Sequence, residues 1–173
     1  MSFELQPTLK GTLVELRPLR PDDFDTLCAV ASDPAIWEQH PVRDRYKKDV
    51  FRGFFDEALE SGGAFAIIDR ATGCIIGSSR YYGYDEARGE IEIGWTFLAR
   101  AYWGGIYNRE LKQLMLRHAF GFVDRVIFLV GPQNFRSQRA MEKIGGVRAG
   151  MTRREPGGAE SVVFEITRAN FSN

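Results

Sequence analysis

Apolar side chains recur every three or four residues in four segments of the chain, and this spacing predicts an amphipathic helix in each of them. The predicted helices cover residues 22–31, 44–60, 107–122 and 137–144. Gly62-Gly63 follows the second helix and Gly145-Gly146 follows the fourth, and glycine just past the last periodic residue commonly ends a helix. In the third helix His118 falls within the apolar stripe, so we expect it to be packed.

Alternating apolar and polar residues, or short apolar runs bounded by turn residues, predict strands between these helices. The predicted strands are 12–16, 65–69, 74–81, 90–98, 126–130, 147–152 and 161–167. Ala71-Thr72-Gly73 is the turn of a hairpin that joins the second and third strands. The run 126–130 is apolar throughout, which predicts a strand buried on both faces.

The order of elements is strand, two helices, three antiparallel strands, helix, strand, helix and two strands. This order predicts a mixed α/β fold, in which about four helices flank a mostly antiparallel, twisted sheet of about six to seven strands. The chain has 173 residues and shows neither an internal repeat nor a linker. We therefore expect a single domain over residues 1–173.

Composition and charge narrow the class of protein. The 23 basic and 23 acidic residues cancel, so no broad field favours nucleic acid or an anionic membrane. Cys28 and Cys74 are expected to be small core residues, and the two histidines lie too far apart to suggest a metal site. Without a signal pattern or an apolar run of ~20 residues, we expect a cytoplasmic protein.

A pair of glycines, Gly104 and Gly105, stands between a predicted strand and a predicted helix. The first N–H groups of a helix are unpaired and carry a partial positive charge, so a phosphate can bind there. Without a Cβ, these glycines let the backbone approach a pyrophosphate closely, and Arg100 and Arg109 can add charge-assisted hydrogen bonds. A tight turn without a ligand explains the glycine pair equally well.

Several short stretches together resemble one known family. They are Leu16-Arg17-Pro18-Leu19, Pro21-Asp22-Asp23, Ser32-Asp33-Pro34 with Trp37, Glu92-Ile93-Gly94-Trp95, Tyr102-Trp103-Gly104-Gly105, Asn134 with Ser137, and Glu142-Lys143-Ile144-Gly145. In this order they resemble the GCN5-related N-acetyltransferase (GNAT) superfamily, particularly its ribosomal-protein-alanine-acetyltransferase-like branch. The resemblance covers nearly the whole chain.

One stretch departs from the family pattern. The family loop usually reads arginine or glutamine, two variable residues, glycine, any residue, and glycine or alanine. Aligned on Trp103-Gly104, Ile106 stands at the second glycine and Asn108 at the small residue. We expect a modified loop path, in which Asn108 caps the helix, donates to a phosphate or narrows the site.

The resemblance implies an N-acetyltransferase in which a primary amine attacks acetyl-CoA directly, without a covalent enzyme intermediate. The amine would belong to a small molecule or a peptide, and the protein would be a monomer or homodimer without a metal. The backbone of Trp95 to Phe97 would hold the pantetheine arm. The implied CoA-binding residues are Trp95, Thr96, Phe97, Arg100, Trp103, Gly104, Gly105, Ile106, Tyr107, Asn108, Arg109, Asn134 and Ser137.

Three residues are candidates for the chemistry. Glu92 is the expected base, with Glu90 on the same face in reserve, although a buried carboxylate that pairs with a neighbouring element is the alternative. His40 is a second candidate base, because histidine titrates near neutrality. Ser137 resembles the family serine that reaches the thioester sulfur, although Asn134 and Ser137 also suit a helix start.

Four residues are expected at the amine pocket: Trp37, His40, Tyr82 and Tyr84. We expect segments 37–43 and 81–84 to form opposite walls, with the acidic turn Asp85-Glu86 attracting a cationic amine. Solvated turn residues are the alternative for Asp85 and Glu86. The alternative function is a non-catalytic acyl-CoA-binding or sensing module on the same fold. A purely structural interaction domain would explain neither the glycine pair nor the Asn134 and Ser137 pattern.

Overall fold

The computed structural model describes residues 2–172, which fold as a mixed α/β protein with a mostly antiparallel sheet. The strands are β1 Leu9–Lys10, β2 Val14–Pro18, β3 Ala64–Asp69, β4 Ile75–Asp85, β5 Glu90–Leu98, β6 Arg125–Val130, β7 Val147–Arg153 and β8 Glu160–Thr167. The α-helices are α1 Phe24–Ala31, α2 Lys48–Glu60, α3 Ile106–Ala119 and α4 Phe135–Lys143. The predicted fold class is confirmed, and the two-residue β1 raises the strand count to eight over the described range.

The strands form one sheet in the order β1-β2-β3-β4-β5-β6-β8-β7. Neighbouring strands are antiparallel except β5 and β6, which are parallel. In the part of the chain that is described, no helix has both the length and the apolar character required to cross a membrane.

Helices cover the two faces of the sheet and create two cores. Below α3, Ile91, Ile93 and Phe128 pack with the helix residues Leu111 and Met115. On the opposite face, α1 and α2 pack their phenylalanines against β3 to β5. The helix α2 begins at Lys48 instead of residue 44, because residues 43–47 form a turn.

Two burial predictions are wrong. Ile127 and Leu129 are only half-buried, because the core under α1 and α2 draws on β3 to β5 and includes no described residue of β6. Strand β6 is therefore fully buried on one face only. Cys74 is exposed beside the β3–β4 turn, and Cys28 is half-buried.

The parallel seam between β5 and β6 is short. Glu90 pairs with Arg125, Ile91 with Val126 and Glu92 with Ile127, and the paired register stops there. Arg125 fastens this end, because its guanidinium donates to Glu90 and to Glu165 of β8, each at 2.6 Å. Beyond Glu92 the strands separate, while β5 stays paired with β4 and β6 with β8. The sheet thus opens into a cleft along its middle.

A β-bulge lies in β5 beside this opening. Ser78 pairs with Phe97 and Arg80 with Gly94, so β5 has one residue more than β4 between the two pairs. Trp95 has a positive φ of 52°, and no other non-glycine residue among 2–172 has a positive φ. Trp95 packs toward the α2 side of the sheet. The neighbouring Thr96 accepts a hydrogen bond from α3, on the other side.

Candidate active site

The cleft between β5 and β6 has a volume of about 640 Å³. The start of α3, the start of α4 and the segment around residues 36–40 complete its walls. The structure thus brings together most of the residues that the sequence predicts for the site. Those that line the cleft are Trp37, His40, Trp95, Thr96, Phe97, Trp103, Gly104, Gly105, Asn108, Arg109, Asn134 and Ser137.

The glycine pair forms one end of the cleft, at the N-terminus of α3. Gly104 and Gly105 have φ values of 114° and 108°, which L-residues rarely adopt, although a Cβ at either position would meet no atom within 4 Å. Backbone conformation therefore requires these glycines. The Arg109 N–H donates to the Gly105 carbonyl oxygen at 2.8 Å and begins the helical ladder. The N–H groups of residues 106–108 consequently point out of the helix without intrahelical acceptors.

Three predicted CoA-binding side chains point elsewhere. Arg100 forms an ion pair with Asp33 at 3.0 Å. The Tyr107 ring packs edge-on against Tyr102 with centroids 4.9 Å apart, and Ile106 is 63% exposed. None of the three is among the residues that line the cleft. Of the two residues that depart from the family pattern, Ile106 points away from the cleft and Asn108 lines it.

The start of α4 closes the other side of the cleft. The Asn134 side chain accepts a hydrogen bond from the Ser137 N–H at 3.3 Å and caps the helix, as the cap interpretation expects. Arg136 bridges to the facing segment, since its N–H donates to the Gln39 side chain at 3.0 Å. The Arg136 guanidinium also lies 4.1 Å from the ring centroid of Trp103. The hydrogen bond to Gln39 holds that segment at the rim of the cleft.

Glu92 is buried on the α2 side of the sheet and is not a lining residue of the cleft. Both of its carboxylate oxygens accept hydrogen bonds from Arg154, one of them at 2.8 Å. Arg154 lies in the β7–β8 hairpin, 62 residues away in the chain. This is the paired-carboxylate arrangement that the sequence leaves open as the alternative.

His40 lines the cleft, but both ring nitrogens already have neighbours. Nδ1 accepts a hydrogen bond from the Val42 N–H at 2.9 Å, so the neutral ring must carry its proton on Nε2. Nε2 lies 3.4 Å from Arg45 Nη1. Burial, together with the charge of Arg45, lowers the pKa of His40 to about 4. The ring is therefore neutral at pH 7 and has no free lone pair with which to take a proton.

The placement of Tyr84 at the amine pocket is wrong. Tyr82 is 47% exposed and packs against Trp95 with ring centroids 5.3 Å apart. Tyr84 packs instead against Phe3, in the core below α3. Strand alternation would place both tyrosines on one face, but Gly83 has a φ of 66° and the register shifts there. The strand therefore turns Tyr84 to the other side.

The acidic turn also lies away from the cleft. Asp85 accepts a hydrogen bond from the Arg88 N–H at 3.0 Å, within the β4–β5 turn. Neither Asp85 nor Glu86 lines the cleft. Tyr81, which the sequence places in the same wall, is buried below α3 and donates its hydroxyl to the Met115 carbonyl. No residue of 81–84 lines the cleft, and Tyr82 comes nearest to it by packing against the lining residue Trp95.

Lys112 is a lining residue that the sequence reasoning missed. Lys112 is 2% exposed, and its Nζ donates to the Thr96 hydroxyl at 2.5 Å. The Thr96 hydroxyl in turn lies 2.8 Å from the Ser79 hydroxyl. Burial lowers the pKa of Lys112 to about 7. Helical spacing could have revealed it, because Met115 and Leu116 lie three and four residues further along the same buried face.

The chain matches the family described as "Acetyltransferase (GNAT) domain" over residues 14–147. It therefore belongs to the GNAT acetyltransferase family. No match is found among curated protein sequences.

Solved structures share the fold at low sequence identity. A GCN5-related N-acetyltransferase from Brucella melitensis has a TM-score of 0.83 and 22% identity, over 95% of this chain and 80% of that chain. A probable GNAT-family acetyltransferase from Chromobacterium violaceum has a TM-score of 0.85 and 21% identity, over 98% and 90%. Mycobacterium smegmatis RimJ, solved in complex with CoA-disulfide, has a TM-score of 0.72 and 20% identity, over 96% and 88%.

Proposed function

We propose that this protein transfers an acetyl group from acetyl-CoA to a primary amine. The observation that carries the proposal is the separation of β5 from β6, with a glycine-led helix N-terminus at one end of the opening. Membership of the GNAT acetyltransferase family supports acyl transfer in general.

The residues around the cleft fit acetyl-CoA. The free N–H groups of 106–108 and the Arg109 side chain suit a pyrophosphate, since the N-terminus of a helix attracts anions. The backbone of Ile93 to Phe97 has no partner strand on the cleft side, so it can pair with the amides of a pantetheine arm. Asn134 and Ser137 line the facing wall.

Bound acetyl-CoA would supply an activated acetyl group and a thiol as leaving group. As the amine nitrogen bonds to the carbonyl carbon, the C–S bond breaks and the amine must lose a proton. Free alkyl amines are largely protonated near pH 7, so the protein must also favour the neutral amine. The remaining question is which side chains of this protein accept and return protons.

We assign proton acceptance to Glu92, directly when Arg154 turns away from it or through a water molecule. Arg154 is 41% exposed at its side chain, so it can exchange its partner more readily than Glu92, which is 6% exposed. Lys112 lines the cleft, and an ammonium near its pKa can donate a proton to a departing thiolate. The Ser137 hydroxyl is the other donor on the facing wall.

The acceptor is proposed to be a protein N-terminus or a small-molecule amine. The motifs that resemble the ribosomal-protein-alanine-acetyltransferase-like branch favour a peptide amine, and RimJ shares the fold. The second candidate function is a non-catalytic acyl-CoA sensor. Its support is specific: Glu92 is paired with Arg154, and the lone pair of His40 is already used.

A thiol-release assay with acetyl-CoA and a panel of amines separates the two functions. The panel should contain short peptides with a free N-terminus, amino acids, polyamines and aminoglycosides. An acetyltransferase releases thiol only when an amine is present, and mass spectrometry finds the acetylated amine. Tight acetyl-CoA binding in calorimetry, without a product from any amine, would establish the sensor instead.

A further inference from the structure

The side chain of Arg80, in β4, is buried beside the cleft without hydrogen-bond partners for two of its nitrogens. The residue is 4% exposed, and Nε and Nη2 have no acceptor. An unpaired buried charge is strongly destabilising, so buried guanidinium groups normally have carboxylate or carbonyl partners. The position therefore calls for an acceptor that the protein does not itself provide.

Aromatic rings surround Arg80, and they attract a cation without accepting N–H hydrogen bonds in the manner of an oxygen. Its Cζ lies 4.3 Å from the ring centroid of Trp95 and 5.6 Å from that of Phe54. Arg154 lies at the same 4.3 Å from Trp95, and Arg45 lies 4.5 Å from Phe54. Three guanidinium groups thus gather on shared aromatic rings.

The carboxylates nearby do not neutralise this group. Both oxygens of Glu92 are held by Arg154. Glu57 is exposed on α2, and its negative charge raises the pKa of Arg80. It does not accept a hydrogen bond from Nε or Nη2 of Arg80. Burial lowers the pKa values of Arg45 and Arg80 to about 10, and neighbouring guanidinium charges add to each shift. Both side chains therefore remain cations at pH 7.

The arginine group lies next to the cleft, behind two of its lining residues, and none of the three arginines is itself a lining residue. Trp95, which contacts both Arg80 and Arg154, lines the cleft. His40, which neighbours Arg45, lines it as well. The glycine pair is contributed by a different segment, at the N-terminus of α3, so a phosphate bound there would not supply the acceptor that Arg80 lacks.

We propose that the amine substrate also carries an anionic group, a carboxylate or a phosphate, which binds Arg80 together with Arg45 and Arg154. This inference rests on the proposed acetyl transfer and defines its substrate class as amine-containing anions. It replaces the expectation of a pocket for a purely cationic amine. Free amino acids, peptides with a nearby carboxylate, and phosphorylated amines all belong to this class.

The test compares each anionic amine with a matched neutral partner. The pairs are amino acids with their amides, phosphoethanolamine with ethanolamine, and glucosamine 6-phosphate with glucosamine. Binding is measured by calorimetry with saturating CoA, and turnover by thiol release with acetyl-CoA. We expect the anionic member of at least one pair to be favoured about tenfold or more, since an ion pair with a buried charge contributes that much. The amino acid pairs test recognition of a carboxylate, and the two phosphorylated pairs test recognition of a phosphate.

Arg80→Met tests whether the preference comes from this residue. We expect it to raise the KM for the anionic amine about tenfold or more and to leave the KM for acetyl-CoA unchanged. Arg88→Met, in the exposed β4–β5 turn, is the matched control and should change neither constant. If Arg80→Met does not fold, Arg80→Lys retains the charge but loses the planar fork, and should still weaken anion binding.

The outcomes separate the two proposals. Anion binding that Arg80→Met abolishes, without acetylation of any amine, supports the anion site and removes the transferase. Acetylation of neutral and anionic amines at equal rates, unaffected by Arg80→Met, leaves the transferase standing and makes Arg80 a stacked structural cation only. Equal binding of both members of every pair by the wild-type protein also overturns the anion site.

Discussion

The two faces of the central sheet each bury one cation beside the cleft, and the two cations are satisfied in different ways. Below α3, Lys112 has the Thr96 hydroxyl as a partner, and burial lowers its pKa to about 7. Below α2, Arg80 has two buried nitrogens without an acceptor and stays charged. A lysine can relieve its burial by releasing a proton, whereas an arginine needs an anion.

This difference assigns separate tasks to the two sides of the cleft. The Lys112 side can exchange a proton near neutral pH without a binding partner. The Arg80 side holds fixed positive charge that suits the recognition of an anion, together with Glu92, to which we assign proton acceptance. Substitutions on each side should therefore change different measured quantities.

The largest effect is expected on the arginine side, from Glu92→Gln. The variant keeps the shape of the side chain but removes its basicity, and a general base typically contributes about 100- to 10,000-fold in rate. Turnover with the best amine should fall by about that factor, as measured by thiol release on protein whose circular dichroism spectrum is unchanged. Glu90→Gln is the control, because Glu90 lies on the same face but pairs with Arg125 at the closed end of the seam.

A Glu92→Gln variant within about threefold of wild type would assign proton removal to water. The Glu90→Gln control should turn over at nearly the wild-type rate. A loss of equal size in both variants would point to structural damage on this face instead.

The next largest effect concerns the end of the cleft that both faces share. Gly104→Val should weaken acetyl-CoA binding about tenfold or more, because a β-branched residue cannot hold a φ of 114° and the loop must change its path. Calorimetry measures this loss. Gly157→Val introduces a comparable strain at a φ of 76° in the β7–β8 turn, and serves as the control. Equal affinities for wild type and Gly104→Val would remove the glycine pair from the binding site.

The smallest effect is a pH-dependent change in stability from Lys112→Met. The pKa of Lys112 falls from 10.5 to about 7 on folding, so between these values the unfolded chain binds the extra proton. Wild-type stability should therefore decrease as the pH falls from about 10 to about 7, and then level off. The variant lacks this loss, so its Tm relative to that of wild type should rise as the pH falls over the same range, by about 2–4 °C for each kcal/mol that wild type loses.

Thermal unfolding at several pH values between 6 and 10 measures this difference. Lys48→Met, at an exposed position in the first turn of α2, should give a curve parallel to that of wild type. A Lys112→Met curve that is also parallel would mean that the folded protein holds the lysine charge without penalty.

Local patterns in the sequence predict the fold well, because each helix and strand buries one regular face. Strand 90–98 has the predicted bounds, and the order of elements is as expected. The exceptions have local causes that periodicity does not contain. The positive φ of Gly83 moves Tyr84 to the other face of the sheet.

The site is less predictable, because its charges depend on pairs that are distant in the chain. The pairing of Arg154 with Glu92 joins the β7–β8 turn to β5 across 62 residues of chain, and no local pattern indicates it. The sequence indicates only that Arg80 lies in a strand, and its unpaired burial becomes visible when its neighbours in the fold are known. Lys112 is different, since its place in a buried helical stripe is visible in the sequence itself.

The short seam between β5 and β6 has a mechanical consequence. The sheet consists of a five-stranded part, β1 to β5, and a three-stranded part, β6 to β8. The two parts are joined only along the short β5–β6 pairing, where Arg125 bonds to Glu90 and Glu165. Beyond Glu92, β5 continues for six residues to Leu98, or about 20 Å of strand at 3.3 Å per residue. Each further residue pair between β5 and β6 would shorten the cleft by about 3.3 Å. The length of the cleft is therefore set by the length of the β5–β6 pairing, and it can change without replacement of any residue that lines the cleft.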